Sequence, residues 1–508
     1  MPLLTSIVSW FNESRLAKIE LIKKYPEEVQ NETFRYLISQ AKDTEWGKKY
    51  GYSDIQTYED FARNVPVSDY DDLKPYIDKV RQGEPNILWP GETKWFAKSS
   101  GTTNDKSKFI PVTNDALENC HFRGGKDIMA IYTKAFPESN IFTGKSLVLG
   151  GSHEINNIDN KSYYGDLSAV IIENLPFWAR FLKANSQETS LMKDWDVKIE
   201  RMADEAIKAN VTNIAGVPSW TMVLLKHILE KTGKDNIKEI WPNLELFIHG
   251  GVSFDPYREQ FKKLIPGKFN YMETYNASEG FFAIQNNLNR KDLLLMLDYG
   301  VFFEFIPMST FGTGNEKIIP LQDVETDVNY ALLISTNGGL WRYLIGDTVM
   351  FTSKYPFKIV ITGRTKHFIN TFGEELIVDN SDKAIEIATK RTNSSIREYT
   401  GAPIFPKDGQ KGGHEWIFEF EKAPEDIDYF VDVFDTALKT LNSDYEAKRY
   451  HDMTINYPKV HVAPEGLFYN WMKKRGKLGG QNKVPRLSNN RKHIEELLEM
   501  MYPENKEQ

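Results

Sequence analysis

A chain of 508 residues is too long for one simple core and, at roughly 150 residues per domain, implies about three folding units. With 41% hydrophobic residues, 26% charged residues and a net charge of −8, the chain falls in the range of folded globular proteins, which excludes wholesale disorder and a broad non-specific nucleic-acid footprint. Its single cysteine, Cys120, excludes an internal disulfide and a thiolate zinc cluster. There is no apolar run of about 18 residues, and Met1 to Phe11 lacks a basic n-region and a small-residue cleavage site. The expectation is a cytoplasmic, unprocessed chain with neither nucleic acid nor membrane as a partner.

Residues 14–50 place Leu16, Ile19, Leu21, Ile22, Phe34, Leu37 and Ile38 near a helical period, broken at Tyr25-Pro26, so the chain opens on helices that serve packing. From about residue 140 the runs 146–150, 211–215 and 244–248 are short and mostly apolar, the pattern of buried strands. Between them, Trp220 to Lys231 carries Met222, Leu225 and Leu229 on one helical face and stops at Gly233, a C-cap; Asp255-Pro256 reads as an N-cap followed by proline. Alternating strands and helices predict a mixed or parallel sheet, with ligands beyond the carboxyl ends of its strands. A β-rich subdomain is expected next, with hairpin signals at Asp298-Tyr299-Gly300 and Asn337-Gly338-Gly339. After the strand 358–362, a separate α/β pattern contains a strand at 414–420 and a helix with Ile427, Phe430, Phe434, Leu438 and Leu441. The boundary is expected near residues 369–373, giving a large domain over 1–370 and a small one over 371–508.

Three constellations carry chemistry. Ser99-Ser100-Gly101-Thr102-Thr103 is a run of small residues whose backbone N–H groups and hydroxyls can approach a polyphosphate, with Lys108 as a mobile cation beyond it; taken alone, it also describes a hydroxyl-rich turn. It is not a Walker loop, because Lys106 stands where glycine is required. Tyr275-Asn276-Ala277-Ser278-Glu279, preceded by Gly250-Gly251, offers a carboxylate suited to Mg²⁺. In Arg342-Tyr343-Leu344-Ile345-Gly346-Asp347, the carboxylate after a glycine at a strand end can accept from both hydroxyls of a ribose.

In this order, the three motifs resemble those of the adenylate-forming superfamily, which includes acyl-CoA synthetases and firefly luciferase. More narrowly, the chain resembles the plant auxin-responsive acyl-acid amido synthetases and their bacterial relatives. The matches are the loop at 99–108, Tyr-x-x-Ser-Glu at 275–279, Tyr-x-x-Gly-Asp at 343–347, Gly363-Arg364-Thr365-Lys366, and Gln481-Asn482-Lys483-Val484-Pro485-Arg486. The resemblance implies an α/β fold, with a large N-terminal domain of mixed or parallel sheets flanked by helices plus the β-rich subdomain, and a small mobile C-terminal domain.

It also implies roles for individual residues. Ser99, Ser100, Gly101, Thr102, Thr103 and Lys108 would contact the ATP phosphates, Glu279 would hold Mg²⁺, and Asp347 the ribose. Gly250, Gly251 and Tyr275 would line the adenine slot. Arg364 and Lys366 would sit at a hinge, and Lys483 would be the mobile-domain lysine. Val217 and Trp220 are candidates for the acyl pocket, although tryptophan after a strand also serves as core. The family loop carries glycine where this chain has Asp105. The implied reaction activates a carboxylic acid with ATP and passes the acyl group to an amine, an amino acid in the family. The rivals are an acyl-CoA ligase, for which the basic run Lys473, Lys474, Arg475 and Lys477 speaks, and a catalytically silent nucleotide-binding scaffold.

Overall fold

The computed structural model describes residues 2–99, 108–150, 156–158, 162–192, 194–251, 254, 257–365, 368–369, 374, 376–405, 412–442, 445–446, 449, 455–478, 483–488 and 490–503. The chain divides into two compact units: one of Met1–Val252, Lys262–Ile345 and Val349–Val360, the other of Ser253–Phe261, Gly346–Thr348 and Ile361–Gln508.

The first unit opens on helices Pro2–Lys24 and Pro26–Ala41. The break falls at Tyr25 because Pro26 takes the first position of the second helix, where its missing N–H costs nothing. Phe34, Leu37, Ile38 and Ala41 turn one face of that helix inward.

Two sheets follow. The smaller comprises β1 (Trp95–Ser99), β2 (Lys108–Val112), β4 (Asn156–Ile158) and β5 (Ser162–Gly165), in the order β2-β1-β5-β4. The larger contains β3 (Lys145–Leu149), β6 (Val211–Gly216), β7 (Leu246–Gly250), β8 (Asn270–Ala277), β9 (Gly280–Ile284), β10 (Leu293–Leu295), β11 (Val301–Pro307), β12 (Ile319–Pro320), β13 (Asn329–Thr336), β14 (Tyr343–Lys354) and β15 (Phe357–Arg364). Among the described residues its order is β12-β11-β13-β14-β15-β10-β9-β8-β7-β6-β3.

Strands β3, β6, β7 and β8 are parallel. Helices Trp195–Ile207 and Pro218–Thr232 lie among their connections, and Gly233 caps the second at a φ of +65°. The fully buried Leu147, Val211, Ile214, Leu246 and Phe247 explain the continuous apolar runs, since parallel strands are covered on both faces. The β-rich stretch from residue 293 onward continues this same sheet.

The two hairpin signals have different outcomes. Asn337-Gly338-Gly339 joins the neighbouring strands β13 and β14, and the Leu340 carbonyl accepts from the Thr336 N–H at 2.8 Å. Asp298-Tyr299-Gly300 joins strands that do not pair: β10 lies between β9 and β15, whereas β11 pairs with β12 and β13. A long-range ionic cluster fixes this turn. Arg15 donates to both Asp127 and Asp298, and the Tyr299 hydroxyl donates to buried Asp127 at 2.6 Å. β14 runs on to Lys354, so Asp347, expected after a glycine at a strand end, stands within a strand and not at its end.

The second unit carries the short antiparallel pair β16 (Phe368–Ile369) and β17 (Leu376–Ile377) and is built on β18 (Ser395–Ile404), β19 (Gly413–Lys422) and β20 (Lys459–Ala463), with β18 and β19 antiparallel and β19 and β20 parallel. Alternation along β19 sends Trp416 and Phe418 to one face, against helices Val378–Thr392 and Ile427–Leu441, and Ile417 to the other, against helices Leu467–Lys474 and Lys492–Met501. The predicted helix face with Phe430, Phe434 and Leu438 is buried here.

Candidate active site

In the first unit, β1 and β2 are antiparallel and pair Ser99 directly with Lys108. The two ends of the expected phosphate loop are thereby held side by side. Ser100, Gly101, Thr102, Thr103 and Asp105 lie outside the described residues. A strand follows this loop, whereas a Walker loop opens a helix, which agrees with the failed spacing test. Lys108 is half-buried; its Nζ donates to the Tyr343 hydroxyl at 3.3 Å and stands 5.6 Å from the Tyr70 ring centre and 5.8 Å from that of Tyr343.

Next to β1, the parallel register Ala97↔Gly165 sets Lys98 level with Asp166. Burial raises the Asp166 carboxyl to about 7, against the opposing attraction of Lys198 and Lys98. Burial also lowers Lys198 to about 8, with Asp166 acting in the other direction. Sequence reading passed over both residues, because neither belongs to a motif.

The register Gly216↔His249 and Gly250↔Thr274 sets Val217, Gly250 and Thr274 in one row at the carboxyl ends of β6 and β7, with Tyr275 one residue further along β8, which runs on to Ala277. This is where ligands bind in open α/β sheets. A Cβ at Gly250 would meet the Thr274 carbonyl oxygen at 2.5 Å, so only glycine lets the two strands close here, and Gly251 turns away at a φ of +82°. Tyr275 is buried and meets Phe282 edge to face at 4.9 Å. Val217 caps helix Pro218–Thr232, and Trp220, half-buried, lies in its first turn. Ser278 and Glu279 form the turn between β8 and β9, with Glu279 half-buried.

Among the described residues no group of three or more His, Cys, Asp or Glu side chains could hold a metal ion. Glu279 therefore belongs to no such group, a setting that suits Mg²⁺ bound mainly through phosphate oxygens and water and does not suit an all-protein cage.

In the second unit, Arg364 Nε donates to Asp347 Oδ1 at 2.7 Å. The residue before Asp347, Gly346, takes a φ of +89°, and its carbonyl accepts from the Thr365 N–H at 2.8 Å. Lys483 keeps contact with solvent, yet the protein packed around it lowers its ammonium to about 8; repulsion from Arg364 and Arg486 adds to this shift and attraction to Asp347 opposes it. Three motifs that are far apart in sequence therefore meet within one electrostatic neighbourhood. Lys366 lies outside the described residues.

The segment around Lys483 is pinned by neighbours that the sequence did not single out. The Thr400 hydroxyl donates to the Pro485 carbonyl at 2.6 Å, and the Gly401 N–H donates to the Arg486 carbonyl at 2.8 Å. Arg486 pairs with Glu398 and lies 4.5 Å over the Tyr399 ring. The motif contained Arg486, but only the fold reveals the β18 residues that hold it.

Family models match in chain order: the GH3 family N-terminal domain at 15–269, the central domain at 294–364 and the C-terminal domain at 379–492. The chain belongs to the GH3 family. An indole-3-acetic acid-amido synthetase of Arabidopsis thaliana, GH3.3, is 24% identical, over 92% of this chain and 90% of that protein. In fold, the chain is similar to the GH3.15 acyl acid amido synthetase in complex with 2,4-DB, with a TM-score of 0.79 at 16% identity, covering 96% of each chain. It is also similar to a 2-hydroxyisobutyryl-CoA ligase, with a TM-score of 0.60 at 11% identity, covering 94% of this chain and 92% of that one. GH3 membership therefore accounts for the order of the motifs. No helix among the described residues is long and apolar enough to cross a membrane.

Proposed function

We propose that this protein is an ATP-dependent acid–amino acid ligase that forms an acyl-adenylate and passes the acyl group to an amine. The observation that carries this reading is the convergence of Asp347, Arg364 and Lys483, a carboxylate bonded to one cation and acting on a second whose ammonium is lowered to about 8.

In the first step a substrate carboxylate oxygen attacks the α-phosphorus of ATP, a P–O bond to the β-phosphate breaks, and pyrophosphate leaves. Lys108 and the 99–103 loop hold the phosphates, Asp347 accepts from the ribose hydroxyls, and Gly250, Gly251 and Tyr275 wall the adenine. Lys483, charged below about pH 8, stabilises the negative charge that develops between acid and phosphate. Bound through Glu279, Mg²⁺ supplies further charge neutralisation. In the second step the amine nitrogen attacks the acyl carbonyl carbon, the C–O bond to AMP breaks, and the amine loses a proton. We assign 1–370 to the adenylating domain and 371–508 to a mobile domain that turns about Arg364 and Lys366 between the steps, which keeps water from the mixed anhydride. Val217 and Trp220 wall the acyl group, and the single, buried Cys120 fits a reducing cytoplasm.

The test is pyrophosphate exchange into ATP driven by a panel of acids that includes indole-3-acetate and 2,4-DB, followed by product analysis with amino acids or coenzyme A. Acid-dependent exchange and amide formation are expected. Thioester formation alone would replace the second step, and no exchange with any acid would leave the nucleotide-binding scaffold.

A further inference from the structure

We infer that Tyr70 is a positioning residue for Lys108, fixing the backbone from which the lysine departs and the direction its ammonium takes. This rests on the phosphate-binding role of Lys108 proposed above.

The segment just before Tyr70 is fastened to β14. The Ser68 N–H donates to the Arg342 carbonyl at 3.0 Å, the Leu344 N–H donates to the Ser68 carbonyl at 2.9 Å, and Ser68 Oγ donates to the Trp341 carbonyl at 2.6 Å. These bonds form a parallel bridge that sets Ser68 against Tyr343. Two residues later, Tyr70 opens helix Tyr70–Arg81, whose start is fixed by a reciprocal capping box. The Asp69 carboxylate accepts from the Asp71 and Asp72 N–H groups at 2.8 and 3.2 Å, and the Asp72 carboxylate accepts from the Asp69 N–H at 2.9 Å. The ring of Tyr70 therefore leaves a rigid point.

Its hydroxyl accepts from the Phe109 N–H at 2.8 Å, the backbone donor next to Lys108. β2 is the edge strand of its sheet, and this bond satisfies an edge donor with a side chain instead of a further strand. At the other end of the same helix, the Arg81 guanidinium lies 3.8 Å over the Phe109 ring. One short helix thus grips Phe109 by both backbone and side chain. Lysine has a long flexible stem, and here its ammonium donates to the Tyr343 hydroxyl at 3.3 Å and stands 5.6 Å from the centre of the Tyr70 ring. An aromatic face attracts a cation without neutralising it, as a carboxylate would. The ammonium is thus oriented.

Calorimetry of MgATP and AMP binding to the full chain tests this without knowledge of the acid, using Tyr70→Phe, Lys108→Ala, the double variant and Tyr343→Phe. Tyr70→Phe keeps the ring and removes the acceptor for Phe109. It is expected to weaken MgATP about three- to tenfold, the range of one buried hydrogen bond, and to leave AMP binding unchanged. Tyr343→Phe should give the same selective loss, and Tyr70→Phe should cost nothing further once Lys108 is alanine. A merely structural Tyr70 would weaken both nucleotides, or cost as much without Lys108 as with it, and either result overturns the proposal. So does wild-type MgATP affinity in Tyr70→Phe when Lys108→Ala is impaired. Wild-type affinity in Lys108→Ala would instead remove the lysine from the phosphates, a failure of the parent reading that this design separates from failure of Tyr70.

Discussion

Asp347→Asn separates the proposed nucleotide role of this carboxylate from its role in the fold. One oxygen accepts from Arg364 Nε at 2.7 Å, and the ribose assignment asks the same carboxylate to accept from two hydroxyls as well. The amide preserves the shape but has no charge and only one accepting oxygen, so the substitution removes about one charge-assisted bond, worth roughly 1.5–3 kcal/mol. Since 1.4 kcal/mol is tenfold, AMP should bind about 10- to 150-fold more weakly by calorimetry. The loss in stability should be far smaller. The Arg364 side chain is 39% exposed, so solvent screens the ion pair, and about 0.2–1 kcal/mol is expected in urea unfolding. A folded Asp347→Asn protein that binds AMP within about twofold of wild type would refute the ribose assignment.

The lowered Lys483 ammonium, at about 8, predicts that acid-dependent pyrophosphate exchange is fully active at neutral pH and falls as pH rises through 8, because deprotonation removes the charge. Lys483→Arg should move the fall to higher pH, and an unchanged profile would count against the assignment. Glu279→Gln should raise the Mg²⁺ concentration needed for half-maximal exchange, read by titration at fixed ATP, with little change in melting temperature. In the first unit, Glu304 accepts from Arg342 Nε at 3.0 Å and Nη2 at 2.8 Å, and both residues are buried. Glu304→Ala would strand that guanidinium and should cost about 3–5 kcal/mol in urea unfolding.

Local signals were the legible ones. The Tyr25-Pro26 break, the Gly233 cap and the apolar strands at 146–150 and 211–215 each depend on residues adjacent in sequence, and the structure has them where the pattern predicts. Pairing was not legible. Nothing in Asp298-Tyr299-Gly300 shows that its flanking strands take other partners, because what holds the turn is Arg15, 283 residues away in sequence. The same holds for the site. Motifs single out Lys108, Asp347 and Lys483 as candidates, but Tyr70 and Thr400 carry no signature, since a tyrosine at a helix start and a threonine in a strand acquire meaning only from the backbone groups they meet. The run Asp69-Tyr70-Asp71-Asp72 could have announced a helix start, yet not that its tyrosine reaches Phe109.

The pairing of Ser99 with Lys108 also bears on how this sequence can drift. Side chains alternate across a strand, so one residue inserted or deleted within 108–112 would turn Lys108 to the opposite face and move Phe109 away from Tyr70. Changes in the length of 100–107, by contrast, leave the ladder intact. The ladder itself therefore tolerates an aspartate at 105, where relatives have glycine, while β2 keeps its residue count and the run at 99–103 keeps the small residues that its proposed phosphate contacts require.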